Sequence, residues 1–376
     1  MKILVAPNGF KETMSSVNVA QHIGAGLKKA SNDFTIVKVP LADGGIGTTR
    51  IITDLFEGEY VHCQTTGPFN EPMEGEYGVI PTQRVAVIEL AQVAGLHLVP
   101  KRGRNPLIAT TSGVGKLLVD ALKRGYRKCI LGIGDSATID CGVGALHQLG
   151  VRFFDAIGSP IELNCRGLLE LHTIDMSQID HRVARMKITI ASDVKNVLTG
   201  RNGAIVYAKQ KGAREKDMPV IRRSLRRFKN MIKVFCDKDL DRIPGSGAAG
   251  GIGGAFVALL NSQIVSGSGL IQEMVRLEEE VATSDFVITG EGKIDDQSMY
   301  GKTLKRVVDL AYIHKKPVIL IAGSIAHGSV LKRKYNIMAH YSLSRISGSR
   351  RQALEKTGTL LEKIAYKIGR EIRSTK

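Results

Sequence analysis

The sequence predicts an α/β fold of two domains. At both ends of the 376-residue chain, apolar segments are followed by a glycine-bearing turn and an amphipathic segment, as in parallel strands joined by helices. The middle mixes alternating and continuous apolar patterns, which indicates a mixed sheet. A chain of this length is expected to form two cores. We therefore predict a mostly parallel sheet domain from residues 1–60 and 285–376, with a mixed α/β domain, 61–284, inserted in it.

The first strand is predicted in KILVAP and the first helix in SSVNVAQHIGAGLKKA, with Ser15 or Ser16 as its N-cap. TIVKVPLADGGIGTTRIITDL repeats strand, turn and helix. EYVHCQTTGPFNEPMEGEYGVI is typical of a hairpin, and four apolar strands follow it in RVAVIELA, KCILGIGD, VRFFDAIG and KITIASDV. DFVIT and KPVILIAGS are again predicted as strands, each followed by a turn and a helix. QALEKTGTLLEKIAYKIGREI predicts one long terminal helix.

Composition restricts the class of partner. The formal charge is +17, but only 5% of residues are aromatic and none alternate with basic residues as stacking platforms, so we expect no nucleic-acid partner. No apolar run approaches a membrane span in length. The five cysteines are widely spaced and form no CxxC pair, which favours a reducing cytoplasm over a disulfide framework or zinc site. A small anionic substrate fits the charge, and a homodimer is left open.

Two glycine motifs suggest nucleotide binding, and each is incomplete. GEGKIDDQSMYGKT ends like a P-loop, but Asp296 stands where the first glycine is needed, and about a dozen residues are predicted between strand and helix. GIGDSA resembles a dinucleotide fingerprint with Asp155 as the ribose acid. Its helix is predicted to begin well after the glycines, which disfavours a dehydrogenase.

Acidic residues follow several predicted strands. Because ligands bind beyond the carboxyl ends of strands in open α/β sheets, carboxylates converging there suit a Mg²⁺–nucleotide site. A single aspartate in such a place is more simply a helix cap, but the recurrence weighs against that interpretation. The residues are Asp43, Asp135, Asp140, Asp193, Glu291 and Asp295.

Taken in order, these loops resemble the bacterial glycerate kinases of the first type, which make 2-phosphoglycerate from D-glycerate and ATP. The motifs cover nearly the whole chain: KILVAPNGFKET, VPLADGGIGT, RNPLIATTSGVGKLLVDAL, GIGDSATIDCGVGALHQLGVRFFD, SDVKNVL, NGAIVYAKQKGA, PGSGAAGGIGGAF and DFVITGEGKIDDQS with GKT. The resemblance implies a Rossmann-like domain with a second domain inserted, and direct phosphoryl transfer in the cleft between them.

The resemblance also implies roles for individual residues. Asp193 is assigned to orient or deprotonate the attacking hydroxyl, and Lys11 and Lys211 to neutralise phosphate or carboxylate charge. The expected catalytic residues are Asp193, Lys11 and Asp43. The expected substrate- or nucleotide-binding residues are Asn8, Gly44, Gly45, Ser136, Thr138, Asp140, Asn196, Lys211, Gly290, Glu291 and Lys302. ATP and Mg²⁺ are the expected cofactors, with Asp295 and Glu291 as the metal ligands.

Several positions depart from the family's usual residues, and four of them bear on the predicted site. Asn8 replaces an acid, Ile46 replaces a glutamate, Asp135 replaces a glycine and Ile139 replaces an asparagine. An isoleucine can neither bind a cation nor accept a hydrogen bond. Three hypotheses therefore stand: an active glycerate kinase, a kinase for a related small hydroxy-acid, and a weakly active or non-catalytic ligand-binding homologue.

Overall fold

The structure is a computed structural model that describes residues 1–10, 13–294, 302–326 and 335–374, without the side chain of residue 302. Numbered along the chain, its strands are β1 (Lys2–Val5), β2 (Thr35–Lys38), β3 (Glu59–Thr66), β4 (Pro72–Ile80), β5 (Val85–Glu89), β6 (Lys128–Gly132), β7 (Arg152–Phe154), β8 (Thr173–Asp175), β9 (Lys187–Ala191), β10 (Gln263–Val265), β11 (Phe286–Ile294), β12 (Val318–Ile325) and β13 (Ile337–Ser342).

Helices connect most of these strands. They are α1 (Ser16–Ala30), α2 (Thr48–Leu55), α3 (Ala91–Ala94), α4 (Ser112–Lys123), α5 (Val143–Gln148), α6 (His181–Ala184), α7 (Met218–Cys236), α8 (Ile252–Leu260), α9 (Gly267–Met274), α10 (Leu277–Thr283), α11 (Lys302–Ile313), α12 (Leu343–Ile346), α13 (Arg350–Glu355) and α14 (Thr357–Ser374). None of the helices in the described ranges combines the length and the apolar character that a membrane span requires.

The chain divides into two compact units. The first comprises Met1–Asp43 and Ser268–Lys376, and the second comprises Gly44–Gly267. Both junctions lie earlier in the chain than the predicted boundaries at 60/61 and 284/285. The shift has a physical cause at each junction: α2 packs against β4 and β5 of the second unit, whereas α10 packs against β1 and α11 of the first.

The first unit contains a sheet in the order β13-β12-β11-β1-β2, with every pair of neighbours parallel. The predicted pairing of the N-terminal strand with the C-terminal third is confirmed, because Ile3 is in register with Phe286. Helix α1 begins after Ser15, whose hydroxyl accepts the Asn18 N–H at 3.2 Å and so caps the helix. This unit therefore has the predicted Rossmann-like, mostly parallel sheet.

The second unit contains a mixed sheet in the order β10-β9-β6-β5-β4-β3. β3 and β4 form the predicted antiparallel hairpin, and β4 also pairs antiparallel with β5. The strands β5, β6, β9 and β10 run parallel to one another. Every residue of β5 is buried, as expected of a continuous apolar strand covered on both faces. The mixed α/β prediction for this part of the chain is confirmed.

Two elements differ from the sequence-based expectation. The terminal segment is not one helix, because Lys356 interrupts it between α13 and α14. β11 extends beyond DFVIT to Ile294, since Lys293 and Ile294 still pair with Ser324 and Ile325 of β12. The interval between this strand and α11 is therefore shorter than the predicted dozen residues.

Candidate active site

Four parallel strands of the second unit end in one row. Glu89, the last residue of β5, is in register with Gly132 of β6, which is in register with Ala191 of β9. Ala191 is in turn in register with Val265, the last residue of β10. Ligands of open α/β sheets bind beyond this carboxyl edge. The loops that follow these strands are therefore the candidate site of this unit.

The loop of residues 44–47, which we call the glycine loop, crosses the ends of β9 and β6. Gly44 has φ +91°, and a Cβ placed there would lie 2.3 Å from the carbonyl oxygen of Ala191. The Gly134 N–H donates to the Gly44 carbonyl at 3.0 Å, and a Cβ on Gly132 would lie 2.6 Å from that same oxygen. Backbone thus rests directly on backbone, which only glycine allows. Gly45 lies in this loop, and its carbonyl accepts the hydroxyl of Thr48 at 2.8 Å.

Glu89 is a buried carboxylate that the sequence analysis did not select. It is 1% exposed, and its Oε1 accepts the Thr49 N–H at 2.6 Å, near the start of α2. Its Oε2 is buried without a hydrogen-bond partner of normal geometry among the described residues. Burial raises the pKa of Glu89 to about 7, against the opposing effect of the Thr49 and Gly47 N–H groups. A charged residue closing an otherwise apolar strand was the signal available in the sequence.

A buried lysine supports the loop that follows β6. Lys211 is 5% exposed, and its Nζ donates to Ser136 Oγ at 2.6 Å and to the Thr138 carbonyl at 2.7 Å. Burial lowers the pKa of Lys211 to about 7, although the Asp140 carboxylate raises it. The structure brings the predicted residues Ser136, Thr138 and Lys211 together. The lysine holds the Ser136 hydroxyl in place, and its role in neutralising ligand charge stays a prediction.

Asp140 and Asn196 also have internal contacts. Asp140 is fully buried, and its Oδ2 accepts both the N–H and the hydroxyl of Thr111 at 2.8 Å, while its Oδ1 accepts the Gly142 N–H at 3.0 Å. The Asn196 amide donates to the Asn202 carbonyl at 2.6 Å and accepts the Tyr207 hydroxyl at 3.0 Å. Carboxylate and amide thus have partners within the fold, and their roles in ligand binding stay predictions.

Asp193 follows β9 at the same edge of the sheet. It is partly exposed, and its Oδ1 accepts the hydroxyl of Ser266 at 2.6 Å. Ser266 follows β10, the strand next to β9, so two neighbouring strand ends orient this carboxylate. A partly exposed and oriented carboxylate can accept a proton or a hydrogen bond from a ligand hydroxyl.

The first unit has a second cluster of predicted residues, where the chain leaves β1 and runs beside β11. The Asn8 N–H donates to the Gly290 carbonyl at 2.8 Å, and the Asn8 side chain accepts the Gly9 N–H at 2.9 Å. Gly290 and Glu291 were expected in a loop, but they lie within β11, in register with Ile321 and Ala322. A Cβ on Gly290 would lie 1.6 Å from the Ile321 carbonyl, so close strand packing requires glycine there. Asp43, the last residue of the N-terminal segment of this unit, is exposed.

Three predicted residues are wholly or partly outside the described ranges. Lys11 and Asp295 lie outside them, and Lys302 is described only as the first residue of α11. Among the described residues, no group of three or more His, Cys, Asp or Glu side chains could hold a metal ion. Asp155, which the dinucleotide interpretation required, closes a turn by accepting the N–H groups of Ile157 and Ser159.

Comparison with known proteins identifies the family. The model of the glycerate kinase family matches residues 3–373. A glycerate kinase from Halalkalibacterium halodurans is 41% identical, with 97% of each chain covered, and the glycerate 2-kinase of Escherichia coli is 38% identical, covering 91% of this chain and 90% of that protein. A solved structure named as a candidate glycerate kinase 2 from Salmonella typhimurium LT2 is 36% identical, with a TM-score of 0.82 over 100% of this chain and 99% of that one. This chain belongs to the glycerate kinase family.

Proposed function

We propose that this enzyme transfers the γ-phosphoryl group of ATP directly to the 2-hydroxyl of D-glycerate, giving 2-phosphoglycerate. The observation that carries the proposal is Asp193, an oriented and partly exposed carboxylate at the carboxyl edge of the sheet, beside the strand end over which the glycine loop lies. Family membership supports the reaction type, and the E. coli relative is named for the 2-position. Phosphoryl transfer needs little covalent participation from the protein, so positioning and charge stabilisation dominate.

Asp193 is proposed to orient the attacking hydroxyl and to accept its proton. Ser266 donates one hydrogen bond of 2.6 Å to Oδ1, and a carboxylate accepts several hydrogen bonds through its two oxygens. A substrate hydroxyl donating to this carboxylate would be held with its oxygen lone pairs free for attack. The proton then passes to the carboxylate as the new P–O bond forms.

The glycine loop and the loop after β6 are proposed to bind anionic groups of the ligands. Gly44 and Gly45 let ligand atoms approach the backbone closely, because neither carries a side chain. Ser136 is fixed by Lys211 at 2.6 Å, so its hydroxyl is held in place before the ligand binds. Lys11 and Lys302, the proposed partners for phosphate charge, stay predictions from the sequence.

The described residues fit a Mg²⁺ ion that arrives with ATP better than one held in a protein cage. No group of three possible ligands occurs among them, and Mg²⁺ is commonly held by one or two carboxylates together with substrate phosphates. Glu291 is the described residue proposed to hold it, and Asp295 stays a prediction. When bound, the ion would neutralise charge on the β- and γ-phosphate oxygens.

One observation favours a second candidate, a kinase for a related small hydroxy-acid. Ile46 projects from the glycine loop and is 47% exposed, at a position where the resemblance leads us to expect glutamate. An apolar side chain there could accept a less polar substrate than glycerate. A panel of small hydroxy-acids, each assayed for ADP release with ATP, distinguishes the two activities. Location in the cytoplasm and assembly as a homodimer stay predictions.

The role of Asp193 is tested with Asp193→Asn, which keeps the size and the acceptor for Ser266 but removes the base. We expect kcat to fall by about 10²- to 10⁴-fold, the usual worth of a positioned acid–base group. Ser266→Ala is the matched control, because it removes the orienting hydrogen bond and retains the carboxylate. It should cost about tenfold, the value of one hydrogen bond to a charged group. Full activity in Asp193→Asn, with its melting temperature unchanged, would remove Asp193 from the chemistry.

A further inference from the structure

Two of the unusual positions in this chain are joined by a hydrogen bond. The Ile46 N–H, in the glycine loop, donates to Asp135 Oδ2 at 3.3 Å. The Asp135 carbonyl accepts the Leu96 N–H at 2.8 Å, which fixes the residue from the other side. Relative to the family's usual residues, this chain lacks an acid at position 46 and has an additional acid at position 135. The structure shows that these two changes meet at one place.

The backbone of Asp135 indicates that its side chain is needed. Its φ is +56°, in the left-handed region that glycine occupies without strain. Aspartate is among the residues that tolerate this conformation best, but it still costs free energy that glycine would not. A strained residue persists where the rest of the structure or the function requires it. The hydrogen bond to the glycine loop is one such requirement.

The hydrogen bond to the glycine loop uses one oxygen of the Asp135 carboxylate, Oδ2. Among the described residues, Asp135 makes no hydrogen bond through Oδ1, and the residue is partly exposed. It precedes Ser136 directly, at the edge of the sheet where Asp193 also lies. Oδ1 can therefore accept a hydrogen bond from a ligand hydroxyl while Oδ2 holds the loop.

We propose that Asp135 determines substrate affinity in this chain, by carrying at the glycine loop the negative charge that the family's glutamate would carry at position 46. Its Oδ2 positions the loop through the Ile46 N–H, and its Oδ1 accepts a hydroxyl of the hydroxy-acid substrate. The carboxylate stands in the loop after β6 instead of in the glycine loop, and the hydrogen bond between the two loops places it beside position 46. The site therefore retains a negatively charged hydrogen-bond acceptor. This inference rests on the proposed function, since it assigns a residue of that site.

The test is a double-mutant cycle with Asp135→Gly, Ile46→Glu and the double variant, assayed for D-glycerate phosphorylation at saturating MgATP. Asp135→Gly should raise KM for D-glycerate by about 10- to 100-fold, which is the worth of a hydrogen bond to a charged group. Glycine suits the left-handed backbone, so folding should be intact. Ile46→Glu alone places two carboxylates side by side and should also weaken binding. The double variant should recover to within about threefold of the wild-type KM, because one acceptor is again present.

Asp135→Asn separates charge from shape. It retains an acceptor for the Ile46 N–H and tolerates the same backbone, so its melting temperature should match the wild type while its KM still rises. A double variant whose KM is the product of the two single effects overturns the proposal, as does an unchanged KM in Asp135→Gly.

Failure of the proposed function gives a different result. If the wild type consumes no ATP with D-glycerate, the function is wrong, and the same cycle is then measured as D-glycerate binding by calorimetry. Binding that follows the predicted pattern would retain the role of Asp135 without catalysis. If the wild type neither turns over nor binds D-glycerate, both the proposed function and the role of Asp135 are wrong.

Discussion

The buried carboxylate of Glu89 predicts a specific dependence of stability on pH. Glu89→Gln keeps the shape of the side chain and the acceptor for the Thr49 N–H, but the variant cannot ionise. The wild type must bury a negative charge at this position once the carboxyl group deprotonates. The variant should therefore be more stable than the wild type at alkaline pH, and this advantage should vanish in acid.

The magnitude follows from the pKa of Glu89, which burial raises from 4.5 to about 7. In the unfolded chain the carboxyl group loses its proton near 4.5, whereas in the folded protein it keeps the proton until about 7. Between these values the folded state binds more protons, so the stability of the wild type falls as the pH rises. Each pKa unit is worth about 1.4 kcal/mol, so the loss is about 3 kcal/mol. For a unit of this size that corresponds to about 6–12 °C in melting temperature.

The assay is thermal unfolding followed by circular dichroism at pH 5 and pH 8.5, because the chain has no tryptophan for fluorescence. Melting temperatures of wild type and variant are compared at each pH, since a chain of two units does not have a single free energy of unfolding. The control is Glu74→Gln, a substitution of an exposed carboxylate of β4 in the same unit. A difference in melting temperature between wild type and Glu89→Gln that is equal at pH 5 and pH 8.5 would show that the folded protein does not raise the pKa of Glu89.

Three further variants test other parts of the site. Lys211→Met removes two hydrogen bonds and should lower kcat/KM about tenfold. Because the pKa of this lysine is lowered from 10.5 to about 7, the stability of the wild type relative to the variant should rise as the pH rises between these values, and a difference in melting temperature that does not change with pH would show that the lysine does not have this lowered pKa. Gly44→Ala places a Cβ 2.3 Å from a carbonyl at φ +91° and should cost at least about 1–3 kcal/mol of stability, so an unchanged melting temperature would show that the loop is not packed as described. Asn8→Asp keeps the acceptor for the next N–H and adds charge at the end of β1; it should raise turnover at limiting Mg²⁺ with no change in melting temperature, and lower turnover would indicate a site adapted to the amide.

The architecture could be predicted because strands and helices leave local patterns. The continuous apolar runs of β1 and β11 indicated buried parallel strands. Their pairing was predicted because the pattern of strand, turn and helix occurs at both ends of the chain. Asp193 could also be placed at the carboxyl edge, since it lies two residues after the end of β9. These predictions need only the order of residues along the chain.

The remaining features depend on contacts between distant segments. Gly290 and Glu291 lie in β11 because β12 pairs with them, and the sequence around them reads as a glycine-rich loop. Asp140 is occupied by donors from Thr111, which is distant in sequence. Glu89 was not selected from the sequence because its hydrogen-bond donor, the Thr49 N–H, belongs to α2, which is distant from β5 along the chain. Burial and hydrogen-bond partners of this kind are properties of the folded chain.

We propose that this chain phosphorylates the 2-hydroxyl of D-glycerate with ATP. The most direct measurement is phosphorus NMR of the purified protein incubated with D-glycerate, ATP and Mg²⁺. We expect 2-phosphoglycerate and ADP to appear in equal amounts, and both to form more slowly with Asp193→Asn than with the wild type. Phosphate on the 3-hydroxyl, or ATP that stays unconsumed with D-glycerate, would contradict the claim.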